Sequence, residues 1–344
     1  MHLQIDNIFS KIHNRIILFR YILPFVKKNA DRKINDENTL CLFCQPRGGS
    51  TWLAEILLHK QHAVLIDEPL WRGNMVNPWM KPDHKFRKIK QIADLDFYYY
   101  QHIPESEDWP AAFTTFENIL TGRSISIGLY NEQDLRNLIK GDLYITKFCY
   151  ANLLMPWLVR QFDFSAILLT RHPCAVVASQ LKYPAWKGMI IPREKKIADF
   201  PYHQFYHSAL EKVGIIDSRE KYLALIWALG FKHTAMHPMN NKRWLTISYE
   251  GLLCNYSKEI NRINQRFNFG LDNLAIDFNQ PSKSTHKDSL KYLNKNQQLL
   301  SWQKELSNKQ IATILKVLEK FEIDIYTANP EPDYTRLYAK TSVK

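Results

Sequence analysis

Pro46-Arg47-Gly48-Gly49-Ser50-Thr51-Trp52 is a string suited to holding an anion. Two adjacent glycines let the backbone come close to a ligand, and Ser50 and Thr51 add hydroxyl donors. Arg47 adds a planar fork that matches phosphate or sulfate oxygens. If a strand precedes the string and a helix follows it, loop amides and the positive end of the helix dipole face the same ligand. A second string, LLTRHPCAVVAS (residues 168–179), places Arg171 at the end of an apolar run and Ser179 eight residues later. From the C-terminal edge of a parallel sheet, both could converge on one phosphate in the crevice there. Each string alone also has a plain reading, as an ordinary turn or as a strand-end Arg and helix Ser bonding locally. The first departs from the triphosphate loop G-x-x-x-x-G-K-[ST] in spacing and lacks its Lys, which argues against a kinase or GTPase.

The elements that must position these residues follow from apolar spacing. TLCLFC (residues 39–44) has the length of a buried parallel strand, and WLAEILL (52–58) has helical spacing. HAVLI (62–66) is a further strand, ending in Asp67-Glu68-Pro69. DLYITKF (142–148) and SAILLT (165–170) read as strands around the helical ANLLMPWLVRQF, a βαβ pattern. The spacing predicts a helix over 222–237, a strand over 243–249 and one long amphipathic helix over 299–321 with Trp302, Leu306, Ile311, Leu315 and Leu318 inward. Residues 72–122, rich in Trp, Tyr, Pro and His, read as irregular and helical insertions. The alternation predicts an α/β fold: a single P-loop-like domain with a mostly parallel sheet flanked by helices, plus helical insertions. Its expected extent is 37–328, with an insertion over 72–135. A basic amphipathic extension (1–36) precedes it, and a tail (329–344) follows. Only the last dozen residues are poor enough in apolar side chains to read as disordered.

The chain has 344 residues, 45% of them apolar, enough for one large core. Lys and Arg outnumber Asp and Glu by 46 to 34, a net +12. Such a balance suits a polyanionic partner (nucleic acid, an anionic membrane or a phosphorylated ligand) or reflects a solvated basic surface. The basic residues are spread without a recognisable nucleic-acid module, so a nucleic-acid partner is not expected. Five cysteines form an odd set; Cys41-x-x-Cys44 has no second pair or His pair at zinc spacing. A reducing compartment, hence a cytoplasmic location, and no metal are expected. IILFRYILPFV (16–26) is interrupted by Arg20 and Pro24, is too short to span a bilayer and lacks a small-residue cleavage site. Flanked by Lys11, Arg15, Lys27, Lys28, Arg32 and Lys33, it suits either the cytoplasmic face of an anionic membrane or packing against the domain.

Taken together, the two strings resemble those of sulfotransferases that use 3'-phosphoadenosine 5'-phosphosulfate (PAPS). PRGGSTW is similar to their 5'-phosphosulfate loop, and RHPCAVVAS to their 3'-phosphate site; the order, the separation and the Trp after Ser-Thr match. The resemblance is clear over roughly 39–70 and 142–182. It is looser over 222–326, where SYEGL (248–252) is similar to the family's YEDL, and absent over 1–36 and 72–135, where acceptor-recognising insertions would fall. It implies that Arg47, Gly48, Gly49, Ser50 and Thr51 line the 5' site, that Trp52 lies near the adenine, and that Arg171 and Ser179 hold the 3'-phosphate.

Departures from the family refine this implication. Cytosolic enzymes acting on phenols and steroids carry Lys in the loop and a catalytic His at a strand end. Here Arg47 stands in the loop, and Lys147-Phe148-Cys149 keeps the Lys but puts a thiol where the base would be. Asp67-Glu68-Pro69-Leu70-Trp71 resembles the Glu-Pro-Leu segment of Golgi carbohydrate sulfotransferases, which also use Arg in the loop. Glu68 is therefore implied as the base, against a plain reading as a solvated or capping carboxylate. The closing loop of the cytosolic enzymes is missing; SKSTHK (282–287) is its nearest substitute, with Ser284 and Lys287 placed for the 3'-phosphate. The implied activity is sulfuryl transfer from PAPS to an acceptor hydroxyl on a carbohydrate or glycolipid. Arg47, Lys147 and loop amides would neutralise the oxygens and Glu68 would take the proton, without a metal. The alternatives are a P-loop-type kinase and a basic nucleic-acid-binding protein without enzymatic activity.

Overall fold

The structure is a computed structural model, described over residues 13–71, 89–97, 100–130, 134–183, 202–271 and 294–339. A π-helical turn, Leu18–Ile22, runs into α1 (Leu23–Lys28). Strand β1 (Thr39–Cys44) leads to α2 (Ser50–Leu57) and then β2 (Ala63–Asp67). Helix α3 (Pro110–Leu120) and a 3-10 segment, Leu135–Lys140, precede β3 (Leu143–Phe148). Helix α4 (Met155–Gln161), β4 (Ser165–Thr170) and α5 (Pro173–Lys182) follow. The remainder comprises a ten-residue helix, Gln204–Val213, then α6 (Arg219–Thr234), β5 (Leu245–Ser248), α7 (Tyr249–Cys254), α8 (Tyr256–Phe267), α9 (Ser301–Glu305), α10 (Asn308–Lys320) and α11 (Tyr334–Leu337), besides other helical segments.

All five strands are parallel, in the order β2-β3-β1-β4-β5. The long apolar runs of β1 and β4, and of β3 as far as Ile145, follow from this: a central parallel strand is covered on both faces and has no solvent side for polar residues. Side chains alternate between two cores. One takes Cys41 and Phe43 with α3, α4, α5 and α6; the other takes Leu40, Leu42 and Cys44 with α2 and α8. Cys41 and Cys44 thus point to opposite faces, and all five cysteines are free. Because α2 and α5 cover opposite faces, the chain leaves the adjacent strands β1 and β4 in opposite directions. That junction is the topological switch point, where a crevice opens at the strands' C-terminal ends.

The N-terminal segment packs on the domain through one side. Ile22 and Phe25 are fully buried, Phe25 meets the rings of Tyr130 and Tyr144, and the Asn29 side-chain carbonyl accepts from the Tyr144 hydroxyl at 2.5 Å. Arg32 then donates to the carbonyls of Asn38 and Asp142, fastening the segment to the starts of β1 and β3.

Three expectations change. The long helix over 299–321 is two: Leu306 is extended, and Ser307 starts α10 through a capping box with Gln310. The strand expected over 243–249 stops at Ser248, whose hydroxyl accepts from the Gly251 amide and so opens α7. The final residues, as far as Ala339, are folded rather than disordered. Asp333 caps α11, Leu337 is fully buried, and the Tyr338 hydroxyl donates to Glu259 at 2.9 Å. Within 72–135, the described residues are helical or irregular, and α3 contributes Phe116, Ile119 and Leu120 to the core.

Candidate active site

The anion loop connects β1 to α2 at the switch point. Arg47 adopts φ +71° and Gly49 φ +101°, turning the chain sharply before the first turn of α2. A Cβ on Gly49 would lie 2.5 Å from the Tyr249 ring, and one on Gly48 would lie 2.5 Å from Cys44 Sγ and 2.8 Å from the Gln45 carbonyl. Both glycines are therefore demanded by their neighbours, and Gly49 by its backbone conformation as well. The Pro46 carbonyl accepts from Gln180 Nε2 at 2.9 Å, which ties the loop to α5. The first amides of α2 lie at the loop's end, where a helix has donors without intrahelical acceptors.

The second motif closes onto this loop. Arg171 Nη1 donates to the Arg47 carbonyl at 3.1 Å, and its guanidinium lies over the Tyr249 ring, 4.1 Å from the centroid. Arg47 Nε donates to Ser179 Oγ at 3.1 Å, and the Arg47 guanidinium lies over Tyr183 at 4.6 Å. Burial, and then the charge of Arg171, lower the Arg47 pKa from its ordinary value. Two cations held this close favour an anion that can be shared between them.

A third group comes from the ends of β2 and β3. Lys147 Nζ lies 2.7 Å from Asp67 Oδ1, 3.7 Å from Glu68 Oε1 and 3.5 Å from Thr51 Oγ1, so the ammonium joins two carboxylates to the loop. Glu68 has φ +47°; its amide donates to the Lys147 carbonyl at 3.0 Å and its Oε2 accepts from the Cys149 amide at 2.9 Å. The carboxylate is thereby fixed in orientation. Burial raises its pKa, Lys147 works against that rise, and Asp67 adds to it. Burial alone would lower the Lys147 pKa, but the carboxylates of Glu68 and then Asp67 hold it above the ordinary value. Cys149 Sγ sits 3.2 Å from Ser50 Oγ, and burial pushes its thiol well up, so it remains protonated. A protonated, buried thiol is neither base nor nucleophile.

No protein-family model and no curated protein sequence matches the chain. Its structure is similar to a sulfotransferase domain from the Synechococcus PCC 7002 olefin synthase, at 16% identity over 86% of this chain and 97% of that one, with a TM-score of 0.41. It is also similar to a sulfotransferase domain from the curacin biosynthetic pathway, at 13% identity over 85% and 99% of the two chains, with a TM-score of 0.39. Mouse sulfotransferase SULT7A1 complexed with PAP is a third, at 12% identity over 85% and 87%, with a TM-score of 0.37. At such identities and superpositions, the functional reading rests on this chain's own residues.

Of the residues expected from sequence, Arg47, Gly48, Gly49, Ser50, Thr51, Glu68, Lys147, Arg171 and Ser179 gather at the C-terminal edge of β1–β4. Trp52 stands edge-on to Tyr249, with ring centroids 5.5 Å apart. Ser284 and Lys287 lie outside the described residues. Among the described residues, no group of three or more His, Cys, Asp or Glu is placed to hold a metal ion. Sequence reasoning gave no role to Asp67, Gln180, Tyr183 or Tyr249. Asp67 had a signal, since it adjoins Glu68 at the end of an apolar run. Tyr249 had one in SYEGL. Glu250 is a further surprise: fully buried, it accepts from the His172 amide at 2.7 Å, and burial raises its pKa to about 7.

Proposed function

We propose that the protein transfers a sulfuryl group from PAPS to an acceptor hydroxyl, and that the acceptor is a carbohydrate or glycolipid. The observation that carries this reading is the position of Lys147 Nζ between the Glu68 carboxylate and Thr51 of the anion loop. A base, a cation and an amide-lined loop then surround one point, which is what in-line transfer of a sulfuryl group to a hydroxyl requires.

The loop amides, Ser50 and Thr51 bind the 5'-phosphosulfate, and Arg171 and Ser179 bind the 3'-phosphate. Arg47 gives up its hydrogen bond to Ser179 when the phosphate arrives. The acceptor oxygen attacks sulfur as the bond from sulfur to the bridging phosphate oxygen breaks, and the 3',5'-bisphosphate leaves with that electron pair. Lys147 and Arg47 offset charge on the peripheral and leaving oxygens. Glu68 accepts the hydroxyl proton, a role that requires it ionised; the adjacent ammonium favours that state. Trp71, three residues after Glu68 and 40% exposed, supports a sugar as acceptor, because an exposed indole face stacks on the apolar side of a pyranose.

The test has two arms. The 3',5'-bisphosphate of adenosine should raise the melting temperature more than ATP or duplex DNA does. Incubation with ³⁵S-labelled PAPS and cell extracts, followed by mass spectrometry, should yield labelled glycans or glycolipids. Preferential stabilisation by ATP would favour a kinase, and stabilisation by DNA alone would favour a nucleic-acid-binding protein.

A further inference from the structure

We propose that the outer side of the N-terminal helical segment docks on an anionic phospholipid surface. Its inner side is committed to the core through Ile22 and Phe25, whereas Ile16 and Phe19 are 53% and 68% exposed. Isolated exposed apolar side chains are ordinary, but these two sit one turn apart and share a shallow groove with Arg15 and Arg20. Lys27 is exposed further along, and residues 13–30 contain no Asp or Glu. The 3-10 segment Leu135–Lys140 lies alongside. Lys28 Nζ donates to the Ile139 carbonyl at 2.9 Å, and the Ile139 side chain is 42% exposed next to an exposed Lys140. Apolar side chains bordered by cations, with no acid among them on the helix, are the pattern of a helix lying in a bilayer interface.

The charge decides between occupants. A two-fold contact with a second copy would set Arg15 and Arg20 against their own counterparts, whereas anionic headgroups complement them. No helix of the described residues is long and apolar enough to cross a membrane, and the segment is bound to the domain through Asn29 and Arg32. Contact is therefore lateral, and the body of the protein is carried in a set orientation. This inference is independent of the sulfuryl-transfer reading.

The test is co-sedimentation of the full chain with phosphatidylcholine vesicles, with and without about one-third phosphatidylserine. Binding is expected only to the anionic vesicles and should weaken with salt. Arg15→Glu with Arg20→Glu, and separately Ile16→Ser with Phe19→Ser, should each weaken binding by at least about tenfold. Because these side chains face outward, the variants should keep the wild-type melting temperature; the single Phe19→Ser variant replaces any pair that does not. Absence of binding, or binding that both pairs leave intact, overturns the proposal. So does a concentration-dependent dimer in sedimentation velocity that Ile16→Ser with Phe19→Ser abolishes, since the face would then be a self-interface.

Discussion

Asp67 and Lys147 are register partners across the β2–β3 ladder, and their side chains meet again at its end, Oδ1 to Nζ at 2.7 Å. The pairing is closer than that of Lys147 with Glu68, at 3.7 Å. Asp67 thus holds the ammonium at the lip of the anion loop and leaves Glu68 only partly neutralised.

On this arrangement, Glu68→Gln should lower kcat by about 10²–10⁴ while leaving donor affinity nearly unchanged, because only the proton acceptor is lost. Cys149→Ser should do little, since the amide of residue 149, not its thiol, positions Glu68. Turnover at saturating PAPS distinguishes them. A fully active Glu68→Gln beside a dead Cys149→Ser would reverse the assignment.

Asp67→Asn has a different signature. Burial is the main cause of the raised Glu68 pKa, and the like charge of Asp67 adds to it. Removing that charge lowers the Glu68 pKa and lets Lys147 approach it. The acidic limb of the kcat profile, which reports ionisation of the base, should therefore move to lower pH. A pH–rate profile that does not shift would show that Asp67 has no electrical influence on the base.

Arg171→Ala and Ser179→Ala should each weaken adenosine 3',5'-bisphosphate more than the 5'-monophosphate, as a charge-assisted hydrogen bond contributes about 1.5–3 kcal/mol. Titration calorimetry with both ligands checks this. Equal losses would place the 3'-phosphate elsewhere.

Gly49→Ala tests the loop's shape. The added methyl meets the Tyr249 ring and the backbone keeps a positive φ, so bisphosphate binding should be lost. Strain on the order of 1–3 kcal/mol should also lower the melting temperature, by about 1–4 °C for a chain of this length. Ala54, on the following helix, is buried without such strain, so the effect should be confined to the loop position. Unchanged calorimetry for Gly49→Ala would remove the loop from the site.

Stability should fall in acid. Burial lowers the pKa values of His102 and His172 to about 4 and that of His233 to about 3. These imidazoles are neutral when folded, so their contribution is complete above their unfolded pKa, about 6.5, and is lost as pH falls towards 4 and then 3. His172 shows how: its Nδ1 accepts from the Cys174 amide at the start of α5, which a protonated ring cannot do. Glu250 acts in the opposite sense, since its raised pKa penalises the fold increasingly from about 4.5 up to about 7. Denaturant unfolding between pH 7 and 4 should show declining stability. His172→Asn, which retains a capping acceptor without the titration, should flatten the decline.

Much of the frame was legible because it is local. TLCLFC, LYITKF and SAILLT are apolar runs of strand length, and the Arg171–Ser179 spacing spans a strand end and the second turn of a helix. The partnership of Asp67 with Lys147 was not, because it depends on strand register over an 80-residue separation. The contact of Gly49 with Tyr249 was hidden for the same reason. The break before α10 had a written signal, Ser307-x-x-Gln310, which helical periodicity across the junction masked.

The packing of Gly49 and Arg171 against Tyr249 has a consequence for the order in which the protein is made. The loop is synthesised early, yet its aromatic support, Tyr249, lies two hundred residues downstream, at the start of α7. A ribosome-bound chain that has exposed only β1 to α5 carries every phosphate-binding residue of the two motifs but lacks the wall against which they are set. Donor binding by nascent chains arrested at increasing lengths should therefore appear abruptly once residue 250 clears the exit tunnel, rather than growing in proportion to length.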